Sequence, residues 1–237
     1  MIPKKIHYCW FGRGKKPKLA KKCIASWKRF CPDYEIIEWN EDNFDIGMNA
    51  YTQKCYDNKK FAFLSDYVRL FVVEKCGGIY LDTDVELLKP LDDLLSNKAY
   101  VGFENNEYVA TGLGFGSEAH GEMVKAMILE YQPLLDGNSE LIPCPILNTQ
   151  AMIKLGMRLG NDSQEFSGIS VFPSDYLNPL DSTTGVLKKT ENTISIHWYC
   201  GSWLKKRYKI MSFFTRYLHR IFGTEVFIKI RKRANKR

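Results

Sequence analysis

No run of 18 apolar residues occurs in this 237-residue chain, so no membrane-spanning helix is expected. Lys4 and Lys5 precede only a short apolar stretch, so no signal peptide is expected either. Cys-x-x-Cys is absent. The seven cysteines (Cys9, Cys23, Cys31, Cys55, Cys76, Cys144 and Cys200) are odd in number and mostly in apolar surroundings, which suits reduced thiols in a cytosol better than a disulfide framework. The run Gly12-Arg13-Gly14-Lys15-Lys16 lacks the Gly-Lys-Ser/Thr ending of a Walker loop. No internal repeat and no long linker breaks the chain. What remains is a sequence with 45% hydrophobic residues, long enough for one globular domain with a sizeable core.

Acid is scarce in one place. Residues 204–237 hold twelve Lys/Arg and a single acid, Glu225, and so carry +11. The whole chain carries +7, which leaves −4 for residues 1–203. Leu204, Tyr208, Met211, Leu218, Ile221 and Phe222 form one helical stripe with cations around it. That pattern predicts a basic amphipathic helical tail drawn to an anionic membrane surface; a helix packed on the core with a solvated basic face is the alternative. No nucleic-acid-binding motif is present, so no nucleic-acid partner is expected.

The rest of the chain alternates strand-like and helix-like segments. Strands are expected at Lys5–Trp10, Tyr34–Trp39, 79–82, Val85–Leu88, Ala99–Phe103, Gly112–Gly116, Ile169–Phe172 and Thr193–Trp198. Helices are expected at Leu19–Phe30, Asn49–Asp57, 61–76, Leu91–Leu95, Gly121–Tyr131 and Ile146–Leu159. Such alternation predicts an α/β fold with a mostly parallel sheet and helices on both faces. Ligands in such sheets bind beyond the carboxyl ends of the strands, where Trp10, Asp82 and Asp84 are expected to lie.

The stretch Gly77-Gly78-Ile79-Tyr80-Leu81-Asp82-Thr83-Asp84-Val85-Glu86 sets two carboxylates two residues apart in an otherwise apolar run. Residues two apart on a strand share a face, and two like charges there repel unless a cation intervenes. Mg²⁺ or Mn²⁺ held with substrate phosphates is the usual solution. An EF-hand loop is excluded, because Leu87 stands where the turn glycine belongs and no Glu holds the twelfth position. Upstream, the helix at 61–76 is apolar nearly all round yet contains Asp66 and Arg69, three apart on one face. They form either an internal ion pair or a ligand site, with Asp66 accepting from sugar hydroxyls and Arg69 holding a sugar or phosphate oxygen.

Taken together, Ser65-Asp66-x-x-Arg69 and Gly77-Gly78-Ile79-Tyr80-Leu81-Asp82-x-Asp84 resemble the sugar-binding-region glycosyltransferases that carry a DxD motif. That family includes bacterial capsular and lipopolysaccharide transferases, the yeast initiating α-1,6-mannosyltransferase and, more distantly, clostridial glucosylating toxins. The opening Ile2–Gly12 is similar to the family's first strand. The resemblance implies a single GT-A-like, Rossmann-like domain over residues 1–203, a nucleotide-diphosphate sugar donor with UDP favoured, Mn²⁺ or Mg²⁺, a glycan or lipid-linked oligosaccharide acceptor, and retention at the anomeric carbon. It implies catalytic and metal roles for Asp82 and Asp84, with Asp66 and Arg69 on the donor. Trp10 would stack on the base, where a core tryptophan is the alternative. His197, in the Ile194–Trp203 cluster, would complete the metal shell, where a structural histidine is the alternative. Ser202 and Trp203 would donate to the diphosphate. Glu104, Asn105 and Asn106 are candidates to meet the acceptor. Asn148 and Gln150 are candidates for the donor sugar, with helix capping by Asn148 or Thr149 the alternative. Two other functions stand beside this one: a haloacid-dehalogenase-type phosphohydrolase with Asp82 as nucleophile, and a non-catalytic glycan- or membrane-binding protein. The expected location is cytoplasmic, peripheral on the inner face of a bacterial membrane.

Overall fold

The computed structural model describes residues 1–200. The chain opens with β1 (Lys5–Cys9), α1 (Lys18–Phe30), β2 (Glu35–Trp39), α2 (Ala50–Asp57), α3 (Phe61–Cys76) and β3 (Gly78–Tyr80). It continues through β4 (Val85–Leu87), β5 (Ala99–Phe103), β6 (Val109–Ala110), β7 (Phe115–Ser117), α4 (Glu122–Leu129) and α5 (Cys144–Lys154). β8 (Gln164–Phe166), β9 (Ile169–Phe172), α6 (Ser174–Leu177) and β10 (Ser195–His197) follow within the described residues. The main sheet runs β2-β1-β3-β7-β5-β9-β8, with β6 added to β5. β1, β2, β3, β5 and β9 point one way, and β6, β7 and β8 oppose them. The mostly parallel sheet is therefore present. β10 and β4 form a separate antiparallel ladder, with His197 opposite Val85.

Helices lie on both faces. Leu64, Val68, Met123, Leu147 and Met152, from α3, α4 and α5, pack with Val101, Phe103 and Phe115. Cys23 and Trp27 of α1 and Leu177 of α6 pack with Ile6, Tyr8 and Ile79 in a second core. Ile79 and Tyr80, neighbours on β3, fall in different cores, as alternation along a strand requires. Trp27 is wholly buried, and its indole N–H donates to the Val85 carbonyl at 2.8 Å. That bond ties α1 to the start of β4, directly after the acidic motif.

Three expectations need correction. The strand expected at 79–82 ends at Tyr80, and Asp82–Val85 is a turn closed by the Val85 amide on the Asp82 carbonyl at 2.9 Å. Gly112 and Leu113 of the expected Gly112–Gly116 strand lie in a tight 3₁₀ turn over Thr111–Leu113, and the strand that joins the sheet is Phe115–Ser117. The helix expected at 146–159 spans Cys144–Lys154 with Pro143 at its cap position, so Asn148 and Thr149 lie inside it and cap nothing. The boundary at 203 and the basic tail at 204–237 lie outside the described residues. Among the described residues, no helix is long and apolar enough to cross a membrane.

Candidate active site

The site is built where α3 turns into β3. Gly77 (φ +60°) and Gly78 (φ +114°) take backbone angles that side chains rarely adopt. There is no room for a side chain either: a Cβ at Gly77 would lie 2.8 Å from the Ala119 amide nitrogen, and one at Gly78 would lie 2.9 Å from His7 Nε2. This double glycine lets a buried helix reverse directly into a strand pairing with β1. Asp66 and Arg69 on the helix are thereby set against the residues just past Tyr80.

Arg69 is the hub. It is only 3% exposed, and its Nη2 donates to Asp66 Oδ1 at 2.9 Å and Asp82 Oδ1 at 3.0 Å. Nη1 reaches Thr111 Oγ1 at 3.3 Å, and Nε bonds the Ser65 carbonyl. Tyr80 donates its hydroxyl to Asp82 Oδ1 at 3.0 Å, while its ring lies 4.9 Å from the guanidinium carbon. A buried cation of this kind persists because its partners replace its water. The internal ion pair of the two sequence readings is therefore present, and it extends to the acidic motif. Burial pushes the Asp66 carboxyl up to about 6 even beside Arg69. Burial likewise raises Asp82.

Asp84 occupies the far end of the turn. Its Oδ1 accepts from His197 Nε2 at 3.1 Å and its Oδ2 from the Cys200 amide at 2.9 Å. The Trp198 amide donates to the Asp84 carbonyl. Burial alone would raise the Asp84 carboxyl, but the charge and hydrogen bond of His197 outweigh it and hold Asp84 well below the ordinary carboxylate range. For His197, burial acts to lower the pKa, and Asp84 more than offsets it, so the ring is held above its ordinary value. Ligand atoms of Asp82, Asp84 and His197 all lie within 4.8 Å of one another. His197 Nδ1 is buried with no partner among the described residues. Two carboxylates and an imidazole whose Nε2 faces Asp84 fit a divalent cation.

The structure thus brings together Asp66, Arg69, Asp82, Asp84 and His197. Trp10, at the end of β1, donates its indole N–H to the Gly14 carbonyl at 2.7 Å and has the Lys16 ammonium 5.5 Å from its ring centroid. Asn148 is fully buried and donates to Thr111 Oγ1 at 3.0 Å, while its Oδ1 has no partner among the described residues; Gln150 is exposed. Glu104 accepts from the Tyr199 hydroxyl, so it is not simply a solvated loop residue, whereas Asn105 and Asn106 are exposed. Ser202 and Trp203 lie outside the described residues. Sequence reasoning passed over Tyr80, Thr111 and Tyr199. The first reads as an apolar strand residue, and no spacing rule marks the other two.

Residues 17–101 match the family described as "Glycosyltransferase sugar-binding region containing DXD motif". This is the family that the residues at 65–84 resemble. Inositol phosphoceramide mannosyltransferase 3 of Schizosaccharomyces pombe is 31% identical over 122 residues, which are 44% of this chain and 32% of that protein. The chain spans about a third of the length of such curated relatives. A solved PaToxG glycosyltransferase superposes with a TM-score of 0.53 at 17% identity, covering 65% of this chain and 70% of that one. A solved glycosyltransferase involved in the glycosylation of the major capsid of PBCV-1 gives 0.52 at 11% identity, covering 87% and 97%. At these identities the likeness is one of fold, and the fold is GT-A-like. A family match that runs through the acidic motif gives the phosphohydrolase alternative no support.

Proposed function

We propose, for a chain whose residues 17–101 match the DXD sugar-binding-region glycosyltransferases, that it transfers a sugar from a nucleotide-diphosphate donor to a hydroxyl of a capsular, exopolysaccharide or lipopolysaccharide acceptor. A UDP-sugar is the favoured donor. The observation that carries the reading is the convergence of Asp82, Asp84 and His197 beside the Arg69 hub. Mn²⁺ or Mg²⁺ held by those three residues would neutralise charge developing on the departing diphosphate. Arg69 and Tyr80 fix the Asp82 carboxylate, and the Cys200 amide and His197 fix that of Asp84. Preset ligands of this kind need no reorganisation during the reaction. Asp66 accepts from hydroxyls of the donor sugar. Trp10 meets the base with its ring, because its N–H is engaged by Gly14.

Screening nucleotide sugars for Mn²⁺-dependent hydrolysis and transfer tests this reading. One donor should turn over, and Asp84→Asn should slow it by roughly 10²–10³-fold, the usual loss when a group stabilising developing charge is removed. Undiminished turnover in the variant would rule the reading out. For residues 204–237, with their +11 charge, we propose peripheral attachment to the anionic inner face of a bacterial membrane, which suits a lipid-linked acceptor. Deleting them should release the protein from anionic vesicles in a sedimentation assay; unchanged partition would contradict the attachment.

A further inference from the structure

Away from the Arg69 hub, a cavity of about 930 Å³ opens between the Glu104–Asn106 loop and residues 173–190. Its lining is rich in hydroxyls, amides and carboxylates, among them Glu104, Asn106, Asp175, Asn178, Asp181 and Lys188. Asn178 is only 5% exposed. Its Nδ2 donates to the Glu104 carbonyl at 3.1 Å and to the Tyr199 hydroxyl at 2.7 Å. Its Oδ1 has no partner among the described residues. A buried amide oxygen left without a donor is costly, and such atoms mark places where a hydroxyl or N–H arrives from outside the chain.

The cavity is joined to the metal-ligand cluster. Tyr199 accepts from Asn178, donates to Glu104 Oε1 at 3.1 Å, and packs its ring on the His197 ring with centroids 4.1 Å apart. Its φ of +47° is unusual for a bulky residue and is held by these contacts. The charge of the lining decides what fits. Among the described residues of the lining, three carboxylates (Glu104, Asp175, Asp181) face one cation, Lys188. A diphosphate or other anion would be repelled, whereas a neutral polyol would find donors and acceptors on every side. Resting on the glycosyl-transfer reading, we infer that this cavity is the acceptor site and that it takes a neutral, polyhydroxylated glycan end rather than a phosphorylated or uronic one. Asn178 Oδ1 would accept from a glycan hydroxyl, and Tyr199 would set that end against His197.

The test uses the full-length ¹⁵N-labelled chain. Methyl α-glucoside, methyl α-mannoside, methyl β-galactoside and glucose 6-phosphate are titrated separately to tens of millimolar. At least one neutral glycoside should shift amides within 104–106 and 174–190, and glucose 6-phosphate should not. Asn178→Ser, with its fold checked by the same spectrum, should weaken the glycoside at least fivefold, and Asp181→Lys should let glucose 6-phosphate bind. Neutral glycosides that leave these amides unmoved, or an equal response to the sugar phosphate, would overturn the inference. Mn²⁺ added to the same sample should broaden amides near Asp82, Asp84 and His197. Missing broadening would count against the functional reading alone, while broadening with no glycoside response would sink only the acceptor site.

Discussion

Arg69 and His7 show how single buried charges and dipoles set this site. Arg69 sits where α3 crosses the acidic motif, and its guanidinium faces Asp66 and Asp82 at once. Lysine, a point charge, would not hold two carboxylates and the Thr111 hydroxyl with one planar group. His7 works from beneath. Its Nε2–H donates to the Gly77 carbonyl at 2.8 Å, and its Nδ1 accepts from the Trp39 indole at 3.1 Å. Both nitrogens are thus committed to one neutral tautomer, and burial lowers the ring's pKa. A histidine whose folded pKa is depressed contributes stability that is full above its unfolded pKa of about 6.5 and is lost as pH falls below that value. His7's share of the stability should therefore fall between pH 7.5 and 5.5, while Asp66 and His197, whose folded values are raised, act in the opposite direction over that range. His7→Gln, which keeps a donor for Gly77 and orphans the Trp39 indole, should be less stable at pH 7.5 by about 1–2 kcal/mol but should lose less on acidification. Parallel pH dependences for the two proteins would contradict this role for His7.

At the level of elements, a turn and not a strand brings the motif carboxylates together. Sequence reading placed Asp82 and Asp84 correctly at a strand tip, but by same-face alternation. β3 stops at Tyr80, and the Asp82–Val85 turn makes the approach. Alternation and a tight turn predict the same proximity from the same spacing, so the sequence alone does not separate them. Asp66 and Arg69 were legible because charges three apart in a helix without a polar face have nowhere else to go. Thr111 and the 111–113 turn were not legible, because their meaning comes from packing against Arg69, far away in sequence. That turn is closely fitted: a Cβ on Gly112 would stand 2.6 Å from Asp82 Oδ2 and 3.2 Å from Arg69 Nη1. Gly112→Ala should therefore displace Asp82 and weaken Mn²⁺ binding at least tenfold, the order seen when partners of metal ligands are disturbed. Thermal stability should change little. Wild-type affinity for Mn²⁺ in this variant would show that Asp82 is not held where the geometry places it.

Across the whole molecule, the alternating pattern was enough to predict an α/β sheet with helices on both faces, and among the described residues five of the eight main-sheet strands do run in one direction. The pattern did not reveal the separate β4–β10 ladder. That ladder matters most for chemistry, because it carries His197 back, more than a hundred residues later, to lie opposite Val85 and against Asp84. Short strands paired across such a distance leave no local signal beyond an apolar run ending in histidine. The central claim is that Asp82, Asp84 and His197 form one cation site that works with a nucleoside diphosphate. Isothermal calorimetry of the full chain with Mn²⁺ and UDP addresses it most directly. Saturable one-site Mn²⁺ binding that tightens when UDP is present, and weakens at least tenfold in Asp84→Asn, is the predicted result. Absence of heat with both ligands, or equal binding by the variant, would contradict it.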